Sequence, residues 1–143
     1  MKLEIKVKEL NHDDLVNFFS TALYGNHSFD CRYSNEARDA VYVENDCYED
    51  IIAKILLNGG SVDVIDMLSE KDDKPYSDNA RWDDGIGYFV YSISLKDVLK
   101  GLNKASKNKY DNKRVMNFIQ EDYDMIDADV LLQYVCYGEI IYG

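Results

Sequence analysis

Carboxylates, lysines and scattered cysteine–histidine combinations are the groups in this chain that could do chemistry. Asp72, Asp73, Asp78, Asp83 and Asp84 share one stretch, and Asp122, Asp124, Asp127 and Asp129 share another. Such density raises Mg2+ or Ca2+ binding, yet neither stretch has the alternating oxygen ligands, mid-loop glycine and distal Glu of a calcium loop. Solvated caps and turns are the ordinary reading of short acidic side chains. His27 and Cys31 lie four apart, with His12 and Cys47 elsewhere; a zinc site wants two close pairs, and only one loose pair exists. A Cys–His nucleophile would require folding to join distant residues, and no local signature marks one. Gly85-Ile86-Gly87 precedes a strand pattern, whereas a phosphate loop aims helix N–H groups at its ligand. The residues therefore imply no metal, no cofactor and no catalytic constellation, and the chain reads as a non-enzyme.

Charge carries the strongest signal. The net charge is −11 with a pI near 4.5, which opposes direct binding to duplex nucleic acid. The sign reverses locally: residues 96–114 hold seven basic and two acidic side chains. Lys96, Lys100 and Lys104 recur at helical spacing and could grip phosphate, with an aromatic such as Tyr110 beside them. Their ordinary reading is an exposed helix face, paired with acidic segments around it. The chain also holds 12 tyrosines and one tryptophan, Trp82, and aromatic residues of this kind are enriched in protein interfaces. Carboxylates interleaved with such aromatics can offer a phosphate-gripping protein the electrostatics of its own ligand.

The elements that must position these groups follow from periodicity. Tyr88 to Ile93 is an apolar, β-branched and aromatic run expected as a central strand covered on both faces. Ser94-Leu-Lys-Asp97 then forms a capping pattern before a helix over 95–105, whose core face is Val98, Leu99 and Leu102. Met1 to Glu9 alternates as a half-buried strand. Asn11 with Asp14 caps a helix bearing Leu15, Phe18, Phe19, Ala22 and Leu23, and Gly25 stops it. Phe29–Tyr33 and Val41–Val43 read as short edge strands. Asp46 with Glu49 caps a helix through Leu56, which Asn58-Gly59-Gly60 ends before a strand over Ser61–Leu68. Ser69 to Asp84, with the only proline, reads as an exposed loop. A helix around Val115–Ile119, a last helix capped by Asp127 and stopped by Gly138, and a short strand over Glu139–Tyr142 complete the chain. The expected fold is a single α+β domain over residues 1–143, with a mixed or antiparallel sheet of four to five strands packed with about five helices.

At 143 residues with 46% apolar content the chain can bury one real core. It has no run long enough for a membrane span, no signal-peptide pattern at MKLEIKVKEL, and three cysteines without paired spacing. These features point to a reduced, cytoplasmic protein that does not bind membranes.

The stretches Ala22-Leu-Tyr-Gly-Asn26, Ile55-Leu-Leu-Asn-Gly-Gly60, Leu95-Lys-Asp-Val-Leu-Lys-Gly-Leu-Asn-Lys-Ala105 and the ending from Asp127 to Gly143 resemble small acidic proteins encoded by bacteriophages and mobile elements of gut bacteria. That resemblance implies a context of inhibitors of host defence, among them anti-CRISPR and antirestriction proteins, and assigns no residue a role. Two functions are expected. The first is a non-enzymatic, DNA-mimic-like inhibitor of a basic nucleic-acid-binding host protein, acting through Asp72, Asp73, Asp78, Trp82, Asp83 and Asp84, with Glu121, Asp122 and Asp124 as a second patch. The alternative is a small-molecule or nucleotide-binding module, open to oligomerisation, that uses Lys96, Lys100, Lys104 and Tyr110.

Overall fold

A computed structural model describes residues 9–24 and 27–142. The strand expected at the N-terminus (all but Glu9) and the Gly25 stop lie outside these residues. Among them the chain forms α1 (His12–Tyr24), β1 (Phe29–Arg32), α2 (Asn35–Asp39), α3 (Tyr48–Leu57), β2 (Ser61–Asp66), β3 (Ala80–Asp83), β4 (Tyr88–Ser94), α4 (Leu95–Ser106), α5 (Asn112–Ile119) and α6 (Met125–Tyr137). The four strands make one antiparallel sheet in the order β1-β2-β4-β3, an α+β architecture.

β4 is interior, and its register sets the layers. Tyr91 faces Val64 on one side and Ala80 on the other; Phe89 faces Asp66 and Trp82. Because cross-strand partners share a face, Phe29, Cys31, Val62, Val64, Phe89, Tyr91 and Ile93 line one side of the sheet. These residues join a single core with buried side chains of α1, α3, α4, α5 and α6. The reverse face holds Ile65 and Val90, both buried yet outside that core. Where a second covering layer is expected, the described residues Arg32, Arg81 and Ile86 line a depression over Ile65 and Val90, and Arg81 pairs with Asp63 at 2.9 Å.

Most caps act as the sequence suggests. Asn11 and Asp14 exchange hydrogen bonds of 3.0 and 2.9 Å between backbone N–H and side-chain oxygen, closing a reciprocal cap on α1. Several boundaries differ. Val41 and Val43 form no strand, because Ser34 caps α2 through the Ala37 N–H and the following turn donates Val43 N–H to Asp46. α3 is capped by Cys47 with Asp50, one residue later than expected, since Asp46 is held by Lys54 at 2.6 Å. β2 stops at Asp66, whose carboxylate accepts the Leu68 N–H and turns the chain. The 69–84 loop ends in a strand, β3, which pairs with β4 and packs Trp82 edge-on against Phe89 at 5.2 Å. α6 is capped by Asp124, with Asp127 as the reciprocal partner inside the helix. Glu139–Tyr142 is no strand: the buried Gln133 side chain accepts Ile141 and Tyr142 N–H groups and donates to the Tyr142 carbonyl, holding the tail along α6.

Candidate functional site

The site is built on α4. Ser94 caps it by accepting the Asp97 N–H, and Asp97 accepts the Ser94 N–H at 2.9 Å. Val98, Leu102 and Ala105 bury the opposite face, and Gly101 lets α6 pass close, a Cβ there falling 2.5 Å from the Val135 Cα. Leu99, expected in the core, is only half-buried, because α6 takes the Gly101 side of the helix. Lys96, Lys100 and Lys104, spaced by one turn each, are then carried outward over three adjoining depressions. Lys96 and Lys100 line one of about 600 Å3 with Tyr76, Ser77, Asp78 and Asn79. Lys100 and Lys104 line a narrower one of about 210 Å3, walled by the end of α6 at Tyr137 and Gly138. All three lysines border a third along the outer surface of α4 with Leu99.

The lysines do not pair with the acidic segments, as an ordinary exposed face would. Among the described residues none of the three has a carboxylate within ion-pair distance, whereas Lys54, Arg38 and Arg81 each have one and Arg114 has two. Asp97 shares the cleft but is engaged by Ser94. Asn79 Nδ2 stands 3.5 Å from Asp97 Oδ1, so the cleft offers an amide, a hydroxyl (Ser77) and ammonium donors together.

The far wall of the cleft belongs to a knot of tyrosines. The Tyr137 ring centroid lies 5.3 Å from that of Tyr76, 5.1 Å from Tyr91 and 6.0 Å from Tyr142. Tyr91 hydroxyl receives the Tyr76 N–H at 3.2 Å. Asp66 sits beneath them, 1% exposed, and accepts the Tyr142 hydroxyl at 3.1 Å. Burial holds the Asp66 carboxyl above its ordinary range, and burial pushes Tyr91 to about 12. This knot fixes the start of the loop segment that carries Tyr76 to Asn79.

Tyr110, the aromatic expected beside the lysines, is 76% exposed and lies under Lys109 rather than at the cleft. Tyr76 occupies that role instead. Its position 20 residues upstream of Lys96 in a loop gave no periodic signal to find it by.

The acidic residues divide. Asp73 accepts the Glu70 N–H at 2.7 Å, Asp83 accepts the Gly85 and Ile86 N–H groups, Asp84 accepts Trp82 Nε1–H at 2.8 Å, and Asp124 caps α6. Asp72, Asp78, Glu121 and Asp122 are exposed without such a task. The second patch begins α6, where Asp124 caps it, whereas the loop that carries Asp78 meets the helix at its close, where Tyr76 packs on Tyr137. A 13-residue helix puts these ends about 20 Å apart.

Folding does gather one cysteine with a histidine. His12 Nε2 lies 3.1 Å from Asp50 Oδ1, and Cys47 Sγ–H donates to Asp50 Oδ2 at 3.0 Å. The order is wrong for nucleophilic catalysis, because the carboxylate stands between thiol and imidazole. Its hydrogen bond favours the neutral thiol, so the Cys47 pKa is raised rather than lowered. Cys31 is buried and His27 exposed, so that pair does not converge. No helix among the described residues is long and apolar enough to cross a membrane.

Compared with known protein families, curated proteins and solved structures, the chain matches none of them.

Proposed function

We propose that this protein is a non-enzymatic binding module whose α4 cleft takes a small phosphate-bearing ligand. One observation carries the reading: three lysines on one helix face, left without carboxylate partners in an acidic protein, border connected depressions with polar walls. Ammonium groups spaced one helical turn apart repel, and an anion between them relieves that repulsion while accepting charge-assisted hydrogen bonds. The surrounding negative charge favours a compact anion over a long polyanion, whose flanks would meet repulsion. The volume of about 600 Å3 beside Lys96 and Lys100 falls within the range that small-ligand pockets occupy.

The test is thermal unfolding with tripolyphosphate and nucleoside triphosphates at millimolar concentration. Ligands should raise the melting temperature of the native chain and leave a Lys96→Ala/Lys100→Ala/Lys104→Ala variant unmoved. A flat response in the native chain overturns the reading.

The net charge of −11 carries a second reading, the inhibitor of a basic nucleic-acid-binding protein. The exposed Asp72, Asp78, Glu121 and Asp122 would serve it, and a resemblance to phage-encoded acidic proteins suits it. Reversing these four to lysine should abolish a salt-sensitive complex recovered from host extract; a complex indifferent to reversal counts against it.

A further inference from the structure

We infer that the ligand of the α4 cleft is a free ribonucleotide, with its base on Tyr76, its sugar at Asp78 and its phosphates between Lys96 and Lys100. The inference rests on the phosphate reading of the cleft and adds a ligand class to it. Three chemistries meet in the depression of about 600 Å3, and a bare phosphate needs only one of them.

The first is an aromatic plate. Tyr76 is 38% exposed, and its orientation is set from behind. Tyr137 packs against it at 5.3 Å and 64°, and its N–H is held by the Tyr91 hydroxyl. A ring held this way offers area to a base without first losing rotational freedom, and stacking on such rings is sequence-tolerant. The second is the Asp78 carboxylate, exposed and two residues along the same loop. Beside a naked phosphate it would only repel. Beside vicinal sugar hydroxyls it is an acceptor for both, the pairing by which acidic residues recognise ribose elsewhere. The third is the lysine pair, whose Cα atoms rise about 6 Å apart along one helical turn and so suit a run of linked phosphates. Asn79 and Ser77 line the same depression with neutral donors and acceptors, as does Asp97, whose carboxylate is held by Ser94 and Asn79. A nucleic-acid strand is disfavoured against a free nucleotide by the net charge of −11 around the cleft.

Calorimetric titration of the full chain would use ATP, GTP, UTP, dATP, tripolyphosphate, ribose 5-phosphate and a ten-residue oligonucleotide. At least one ribonucleotide should bind about tenfold or more tighter than tripolyphosphate, the factor that one stacked base supplies. Tyr76→Leu should bring that ribonucleotide down to the level of tripolyphosphate, Tyr76→Phe should retain it, and neither should change tripolyphosphate binding. Asp78→Asn should narrow the gap between ATP and dATP. Lys100→Ala should weaken both ligand classes. Nucleotides binding no tighter than tripolyphosphate, or Tyr76→Leu weakening both equally, would overturn the nucleotide and leave the phosphate site standing. An oligonucleotide binding tighter than every free nucleotide also overturns it. No binding by any phosphate removes both readings together.

Discussion

A Cβ placed on Gly101 would lie 2.5 Å from the Val135 Cα and 2.7 Å from its nitrogen, closer than real side-chain atoms approach backbone. This contact is where α4 and α6 cross, and it decides the depth of the cleft, because Lys100 and Lys104 flank Gly101 on the side facing the end of α6. Two effects oppose each other in Gly101→Ala. Helix propensity favours alanine by about 1 kcal/mol. Overpacking against backbone that has no rotamer to change costs typically about 1–3 kcal/mol or more, and it should win. Urea unfolding should therefore show a net loss, with the cleft widened as the helices separate. A neutral or stabilised variant would place the helix crossing elsewhere.

The thiol of Cys47 gives a second check. Asp50 accepts from it at 3.0 Å and is itself held below the ordinary carboxylate range, chiefly by that same hydrogen bond. With the carboxylate charged at neutral pH, forming a thiolate beside it is unfavourable. Alkylation of Cys47 by iodoacetamide should be slow at pH 7.5, and Asp50→Asn should quicken it several-fold by removing the charge. Cys31 and Cys136 are buried and should stay protected until unfolding. A thiol already fast in the native chain would contradict the geometry.

How much of this was legible in sequence depends on whether a residue acts locally. Ser94 with Asp97, and Asn11 with Asp14, are three apart, so cap and helix start are written together and were readable. The same logic misplaced α3 by a residue, because Asp46 and Cys47 both offer a partner at the third position, and only Lys54 folding back onto Asp46 decides between them. The α+β class followed from the order of helices and strands, and the interior place of β4 from its apolar pattern. The arginines that line the depression over Val90 did not, since a valine beside arginine stems looks in sequence like a valine beneath a helix. The lysine stripe was visible; its walls were not. Tyr76, Ser77 and Asn79 reach the cleft only through the β3–β4 pairing and the tyrosine knot, long-range contacts with no local period.

Asp66 makes a prediction with a sign. Its folded pKa is raised by burial, with hydrogen bonds only partly offsetting this. In the window from the ordinary carboxylate value near 4 up to that raised value, the folded state binds more proton than the unfolded one. Stability contributed by protonated Asp66 is therefore full below the window and is lost as pH rises through it. Asp66→Asn keeps an acceptor for the Leu68 N–H and cannot ionise. Denaturation midpoints of the variant should fall less than those of the native chain between pH 4 and 8. A steeper fall in the variant would mean the carboxylate is stabilised by its tyrosines rather than burdened by burial.

The two faces of α4 should separate cleanly in mutant stability. Leu102 is fully buried, so Leu102→Ala should cost about 2–5 kcal/mol through lost burial and the cavity left behind. Leu99 is half-buried at the cleft margin, so Leu99→Ala should cost about 1 kcal/mol, half of what full burial of a leucine contributes. Ser94→Ala should cost about 1 kcal/mol by removing the cap on the Asp97 N–H. Lys100→Ala leaves no buried partner behind, so its change should stay below about 0.5 kcal/mol. It should even be slightly favourable at low ionic strength, where Lys96 and Lys104 lie one turn away on either side and the neighbouring Asp97 is engaged by Ser94 rather than by a lysine. That last sign separates an unpaired lysine row from an ordinary salt-bridged helix face. Urea midpoints measured at 20 and 500 mM salt would decide it: a Lys100→Ala penalty that shrinks with added salt would mean the lysine is paired after all, and the cleft would lose the free charge on which its ligand depends.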